Sequence, residues 1–121
     1  LTIPITASLI VAGAIATSDF SLVHHDKAQA QAAGTPDIFM NILTSNGLVQ
    51  RFVGDWAGPG ARVRGLKIRL GAPNFPGDSM TMSGTVQSKE VVGNDKLVEV
   101  AVSGVNSLGE HVSATVRLAM P

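Results

Sequence analysis

Met40-Asn41-Ile42-Leu43-Thr44-Ser45-Asn46-Gly47-Leu48-Val49-Gln50-Arg51-Phe52-Val53-Gly54-Asp55-Trp56 is the stretch around which the rest of the chain must organise itself. Ile42, Val49, Val53 and Trp56 form one stripe at helical spacing, and Leu48 and Phe52 widen it. Leu43 lies on yet another side. A helix that is apolar on several sides needs other structure wrapped around it. The reading is therefore a long helix from about Met40 to Trp56, with Trp56 in the core, ended by Gly58-Pro59-Gly60. Arg51 and Asp55 are four residues apart on one face and read as a structural ion pair.

Downstream, the pattern changes from helical to alternating. Leu66, Ile68 and Leu70 share one face, with Lys67 and Arg69 on the other. Before Gly65 the parity is reversed, because Val63 is apolar between Arg62 and Arg64, and a bulge at Gly65 reconciles the halves. Pro73-Asn74-Phe75-Pro76-Gly77-Asp78 is a loop, and Met80, Met82, Gly84 and Val86 continue a strand. Gly93-Asn94-Asp95 is a hairpin signal. Val98, Val100 and Val102, then Val112, Ala114, Val116 and Leu118 beyond Asn106–Gly109, make the last hairpin.

Upstream, Leu1 to Ser18 is apolar. Ala14-Ile15-Ala16 imitates a signal-peptidase site, but no basic residue precedes the apolar run, and Pro4 with the Thr and Ser residues interrupts it. Ile3, Ile5, Ile10, Val11 and Ile15 are β-branched, so two strand segments joined near Thr6-Ala7-Ser8 are expected, in a cytoplasmic protein that does not engage a membrane. Asp26-Lys27-Ala28-Gln29 fits a capping box that opens a short helix stopped by Gly34. An N-terminal hairpin, a long helix and about three long antiparallel strands amount to an α+β domain over residues 1–121, an antiparallel sheet curled around one central helix.

Composition narrows function. The chain of 121 residues carries nine basic and nine acidic side chains, so a nucleic acid is not the expected partner. With no Cys, thiol catalysis, Cys-based zinc sites and disulfides are excluded. Chemistry concentrates in Thr17-Ser18-Asp19-Phe20-Ser21-Leu22-Val23-His24-His25-Asp26, between an apolar element and a capped helix. Asp19 alone would read as a cap. Together with His24, five residues on, it can share one water, one group removing a proton while the other donates. His25 and His24 point opposite ways on an extended stretch, so no metal site is expected. Asp26 reads as the helix cap and His111 as a surface residue in a polar turn.

The segment resembles the hydratase signature of MaoC-like proteins, in which Asp is followed by any residue, Asn, Pro, an aliphatic residue and His. Here Ser21-Leu22 stands where the signature has Asn-Pro, and Asp26 matches the Asp that follows the His. Pro73-Asn74-Phe75-Pro76-Gly77-Asp78 resembles the family's loop of Pro, two residues and Pro-Gly-Asp. Asp37–Thr44, Gly47–Arg51, Asp55–Pro59 and Asn106–Val112 are similar to one branch, the small subunit of actinobacterial steroid side-chain enoyl-CoA hydratases, with His-His-Asp at the site.

The resemblance implies a hot-dog fold and water addition across an α,β-unsaturated acyl-CoA. Asp19 and His24 would be the catalytic pair, and the backbone N–H of Asn41, at the start of the long helix, the oxyanion donor. No cofactor is implied, because CoA arrives as part of the substrate. The partners implied are a second MaoC-like subunit, in a heterodimer or heterotetramer, and a thiolase-like aldolase. Arg62, Arg64, Lys67 and Arg69 are candidates for the CoA phosphates, though basic residues on a strand equally suit a solvated face. A non-catalytic subunit shaping a partner's pocket, and thioester hydrolysis on the same fold, are the competing functions.

Overall fold

The computed structural model describes all residues from Leu1 to Pro121. The elements run β1 (Thr2–Pro4), α1 (Ala7–Ala16), a 3-10 turn (Leu22–His24), α2 (Lys27–Ala32), α3 (Ile42–Ala57), β2 (Arg62–Leu70), β3 (Ser79–Val92), β4 (Asp95–Asn106) and β5 (Gly109–Met120). The five strands form one antiparallel sheet in the order β1-β3-β4-β5-β2. Four long strands thus follow the long helix, rather than about three, because the segment carrying Arg62–Leu70 pairs along its whole length with β5.

Alternation sets which face is buried. Met80 and Met82 of β3, Val100 and Val102 of β4, and Val112, Val116 and Leu118 of β5 all turn inward to one core. Leu48, Val49 and Val53 of α3 and Ile10 of α1 meet them there. Each such side chain, fully buried, contributes about 1.5–3 kcal/mol. The sheet therefore curls over α3 in the expected hot-dog arrangement. The register shift between Val63 and Gly65 is the expected bulge, and it lets Leu66, Ile68 and Leu70 reach the core. β2 is an edge strand, and so is the three-residue β1.

Two expectations are corrected, and a third is met. The second N-terminal strand is a helix, α1. Thr6, expected at the joint of two strands, is its N-cap and accepts from the Leu9 N–H at 3.0 Å. Alanines at 7, 12, 14 and 16 favour helix, and Ile10 and Ala14, one turn apart, bury the inner face. Gly13 lies so close to α3 that a Cβ there would collide with Thr44 Oγ1. Trp56 is 54% exposed rather than core, because it lies in the last turn of α3. The Arg51–Asp55 pair does form, at 3.8 Å, but both side chains are more than half exposed, so it contributes little.

Candidate active site

The end of α1 aims the first site residue. Ser18 is left-handed (φ 56°), its N–H donates to the Ile15 carbonyl at 3.0 Å, and the Asp19 N–H donates to the Ala14 carbonyl at 2.8 Å. These two bonds are a Schellman closure, which reverses the chain and delivers Asp19 at a defined point just beyond the helix. Glycine usually fills the left-handed position, so Ser18 carries a backbone cost of about 1–2 kcal/mol. Asp19 is then held on three sides. The Ser21 N–H donates to its Oδ1 (3.2 Å), the Asn41 amide to its Oδ2 (3.0 Å), and the His25 Nε2–H to its backbone carbonyl (2.8 Å).

His24 arrives from the 3-10 turn. The Phe39 carbonyl can only accept, so the ring's Nδ1 carries the proton and donates to it at 2.6 Å. The edge of the ring meets Phe39, with centroids 4.9 Å apart. Nε2 therefore faces Asp19 Oδ2 at 3.4 Å. When His24 is neutral, two acceptors confront each other there without a hydrogen between them. The Asn41 amide, the Ser21 N–H, and the charges that His24 and His25 can carry hold the Asp19 carboxyl below the usual carboxylate range. With His24 neutral, the pair is an ionised carboxylate beside an imidazole lone pair, both able to accept from one water. The side chains are 27% and 10% exposed, enough to be reached from outside.

Asn41 was expected to act through its backbone N–H. Its side chain is fully engaged as well. It is the N-cap of α3, its Oδ1 accepting from the Thr44 N–H (3.1 Å) and hydroxyl (2.5 Å). Its amide hydrogens go to Thr17 Oγ1 (2.9 Å) and Asp19 Oδ2. All four hydrogen-bonding positions are filled, and a flipped amide would set oxygen against carboxylate. Ser21 stands where the signature has Asn, and here an amide reaches Asp19 from the start of α3. The Met40 N–H is taken by the Asn74 carbonyl at 3.1 Å, so the Asn41 N–H is the next backbone donor along the chain before the helix.

His111 is not a surface residue. It is 1% exposed, its Nδ1 donating to the Ala72 carbonyl (2.7 Å) and its Nε2 accepting from the Ser45 hydroxyl (2.7 Å). The polar residues of Asn106–Gly109 suggested a surface turn, but His111 lies within β5, where neighbouring Val112 is also buried. Asp26 caps α2, as expected, by accepting from the Gln29 N–H at 3.2 Å. His24 and His25 turn to different partners, and no cluster of three metal-ligating side chains forms.

The four basic residues of β2 are not brought to the pair within this chain. Lys67 and Arg69 lie on the outer face of the sheet with Ser83, Thr85, Ser103 and Thr115, bordering a cavity of about 550 Å³. That cavity contains no imidazole and no carboxylate–imidazole pair, so its size does not make it the site. Arg64 is drawn to Asp95 at 3.6 Å. No helix is long and apolar enough to cross a membrane.

Residues 1–107 match the family described as MaoC like domain. The 3-oxo-4,17-pregnadiene-20-carboxyl-CoA hydratase beta subunit of Mycobacterium tuberculosis is 51% identical over 113 residues, 93% of this chain and 84% of that protein. The crystal structure of the ChsH1-ChsH2 complex from Mycobacterium tuberculosis superimposes with a TM-score of 0.94 at 48% identity, covering 100% of this chain and 92% of that one. The (R)-hydratase from A. caviae involved in PHA biosynthesis has a TM-score of 0.88 at 20% identity, covering 100% and 92%, which bears on the fold alone.

Proposed function

The chain belongs to the MaoC-like domain family, and from that premise we propose that it is the water-adding subunit of a steroid side-chain enoyl-CoA hydratase. The observation that carries the reading is the Asp19–His24 pair, two acceptors 3.4 Å apart at the signature spacing. A water lying against both donates one hydrogen to Asp19 Oδ2 and the other to His24 Nε2. Its oxygen attacks the β-carbon of the conjugated thioester, and the π electrons move through the α-carbon to the thioester oxygen. One member of the pair takes the proton lost by the water, and a proton is returned to the α-carbon as the enolate collapses. The Asn41 backbone N–H, next to the positive end of α3, is the donor for the transient oxyanion.

The steroid side chain is carried over from the relative at 51% identity, itself named a hydratase of 3-oxo-4,17-pregnadiene-20-carboxyl-CoA. That relative is a beta subunit, and the similar crystal structure is a complex of two proteins. We extend this to a second MaoC-like domain that closes the site. Phe20 and Leu22, beside Asp19 in sequence, are 68% and 53% exposed, and Ile42 and Leu43, following Asn41, are 48% and 49% exposed. Apolar side chains flanking a catalytic pair need cover, and the acyl group with a partner's wall provides it. The nine-residue edge strand β2 offers an unpaired rim for edge-to-edge joining. Its basic residues, Arg62, Lys67 and Arg69, with Arg64 if released from Asp95, are the candidates for the CoA phosphates at such a joint.

The test is the chain, alone and with its partner, offered a steroid side-chain enoyl-CoA. Loss of the conjugated-thioester absorbance means hydration. Release of free thiol would mean thioester hydrolysis, and neither signal, even with the partner, would mean a pocket-shaping subunit. Full activity of a stable homodimer would overturn the heteromer.

A further inference from the structure

Every polar contact of His111 leads toward the candidate site, although the hydration chemistry does not use this ring. It is buried on β5, and burial pushes its pKa down, so the ring stays neutral with its proton on Nδ1. That proton holds the Ala72 carbonyl at 2.7 Å, and Nε2 takes the Ser45 hydroxyl at 2.7 Å. Ser45 is fully buried in the first turn of α3, and its N–H donates to the Asn41 carbonyl at 3.2 Å. Ser45 Oγ has one hydrogen. His111 takes it at 2.7 Å in preference to the Asn41 carbonyl at 3.3 Å. The other arm runs along the loop after β2. Two residues past Ala72, the Asn74 carbonyl accepts the Met40 N–H. Asn74 is itself fully buried, its Oδ1 receiving the Asn106 amide at 2.8 Å. His111 thus grips both pieces of backbone that meet at Asn41, the helix turn after it and the loop that engages the residue before it.

We propose that His111, through Ser45 and the Ala72 loop, is a positioning residue of the hydration site that fixes where Asn41 presents its side-chain amide to Asp19. The proposal rests on Asp19 and His24 being the catalytic pair. Asn41 is the joint through which it acts, so its effect must disappear when the Asn41 amide is absent. A ring that only filled space would weaken the fold equally in either background.

The experiment is a double-mutant cycle on the assembled enzyme, with His111→Phe, Asn41→Ala and the double variant, read as kcat and KM, with Tm recorded for each. His111→Phe should lower kcat by about tenfold, the scale of one misplaced hydrogen bond to a charged group, with KM within about twofold. In the Asn41→Ala background the same change should cost less than about twofold in kcat. His111→Asn, which keeps an N–H for the Ala72 carbonyl, should recover part of the loss. If kcat is unchanged, if the two losses multiply, or if only KM and Tm move, the proposal is overturned. Should His111→Phe not fold, Ser45→Ala, which removes a single hydroxyl, runs the same cycle to the same criteria. Asp19→Asn in the same assay separates the two readings: undiminished activity there would overturn the catalytic pair itself, whereas an independent His111 with an inactive Asp19→Asn overturns only the positioning role.

Discussion

His24 and His111 are wired alike and end differently. Each ring gives its Nδ1 proton to a backbone carbonyl, Phe39 at 2.6 Å and Ala72 at 2.7 Å, and each turns Nε2 toward a side-chain oxygen. At His111 that oxygen is the Ser45 hydroxyl, which can donate, so the bond closes at 2.7 Å in a 1% exposed position. At His24 it is the Asp19 carboxylate, which cannot donate, so the two stand 3.4 Å apart where solvent reaches. The first arrangement is satisfied and holds structure. With His24 neutral, the second lacks a hydrogen between its members, a gap that one water can fill. The partner of Nε2, a hydroxyl or a carboxylate, separates a structural histidine from one able to do acid–base work.

The hardest way to break the comparison is to change the open pair. Asp19→Asn and His24→Gln should each lower turnover by about a hundredfold or more, as for lost acid–base groups, measured by loss of enoyl-thioester absorbance. His25→Gln should cost far less, because the hydrogen bond of His25 goes to the Asp19 backbone carbonyl and not to its carboxylate. If His25→Gln proves the severe variant, the pair has been placed one residue off.

A smaller effect sharpens what keeps Asp19 ionised. Asn41→Ala removes the foremost cause of the lowered Asp19 pKa. Turnover should fall by about tenfold, in line with one hydrogen bond to a charged group. A depressed carboxylate stays ionised until pH falls through its lowered value, so losing the amide raises that value. The acid limb of the kcat/KM profile should therefore move to higher pH. A limb that stays in place or moves down would show that the amide does not control Asp19. The lost helix cap should also cost about 1 kcal/mol of stability, read as a lower Tm.

Two backbone changes come next. Gly13→Ala forces a methyl into Thr44 at the α1–α3 contact and should destabilise the fold by about 1–3 kcal/mol, measured by denaturant unfolding. Unchanged stability would mean the helices are not in contact in solution. Ser18→Gly should have the smallest effect, a gain of about 0.5–1 kcal/mol, because the left-handed strain it relieves exceeds the entropy that glycine loses. Ser18→Val should instead destabilise, since a β-branched residue resists that conformation, and Tm measurements on the two variants should therefore diverge.

Much of the fold was legible in local pattern. The buried Val49 and Val53 of the α3 stripe (though not Ile42 and Trp56 at its ends), the bulge at Gly65, the turn at Gly93-Asn94 and the inward parity of Val100, Val102, Val112, Val116 and Leu118 follow from periodicity and turn chemistry, which act over a few residues. Ala7–Ala16 was misread because β-branched residues outweighed the Thr6 cap and the spaced alanines, whereas Thr2–Pro4 is a strand as expected. Short apolar runs do not distinguish strand from helix until it is known what packs on them, here Thr44 against Gly13. Within the site, Asp19 and His24 were readable because they sit five residues apart in one segment. Asn41 was named for its backbone only. Starting the helix at Met40 rather than Ile42 hid the N-cap, whose preference for Asn was the available signal.

By itself, then, the sequence determined the sheet-and-helix pattern, the Asp–His pairing and the absence of thiol chemistry, since each depends on residue type and short spacing. Tertiary structure alone decided the rest. The Asn41 amide reaches Asp19 across 22 residues and Ser45 reaches His111 across 66. No local preference specifies such contacts, because they exist only once the sheet has closed over α3 and α1 has packed beside it. The same closure sets whether each imidazole meets a donor or an acceptor, and so which histidine is left free to hold a water.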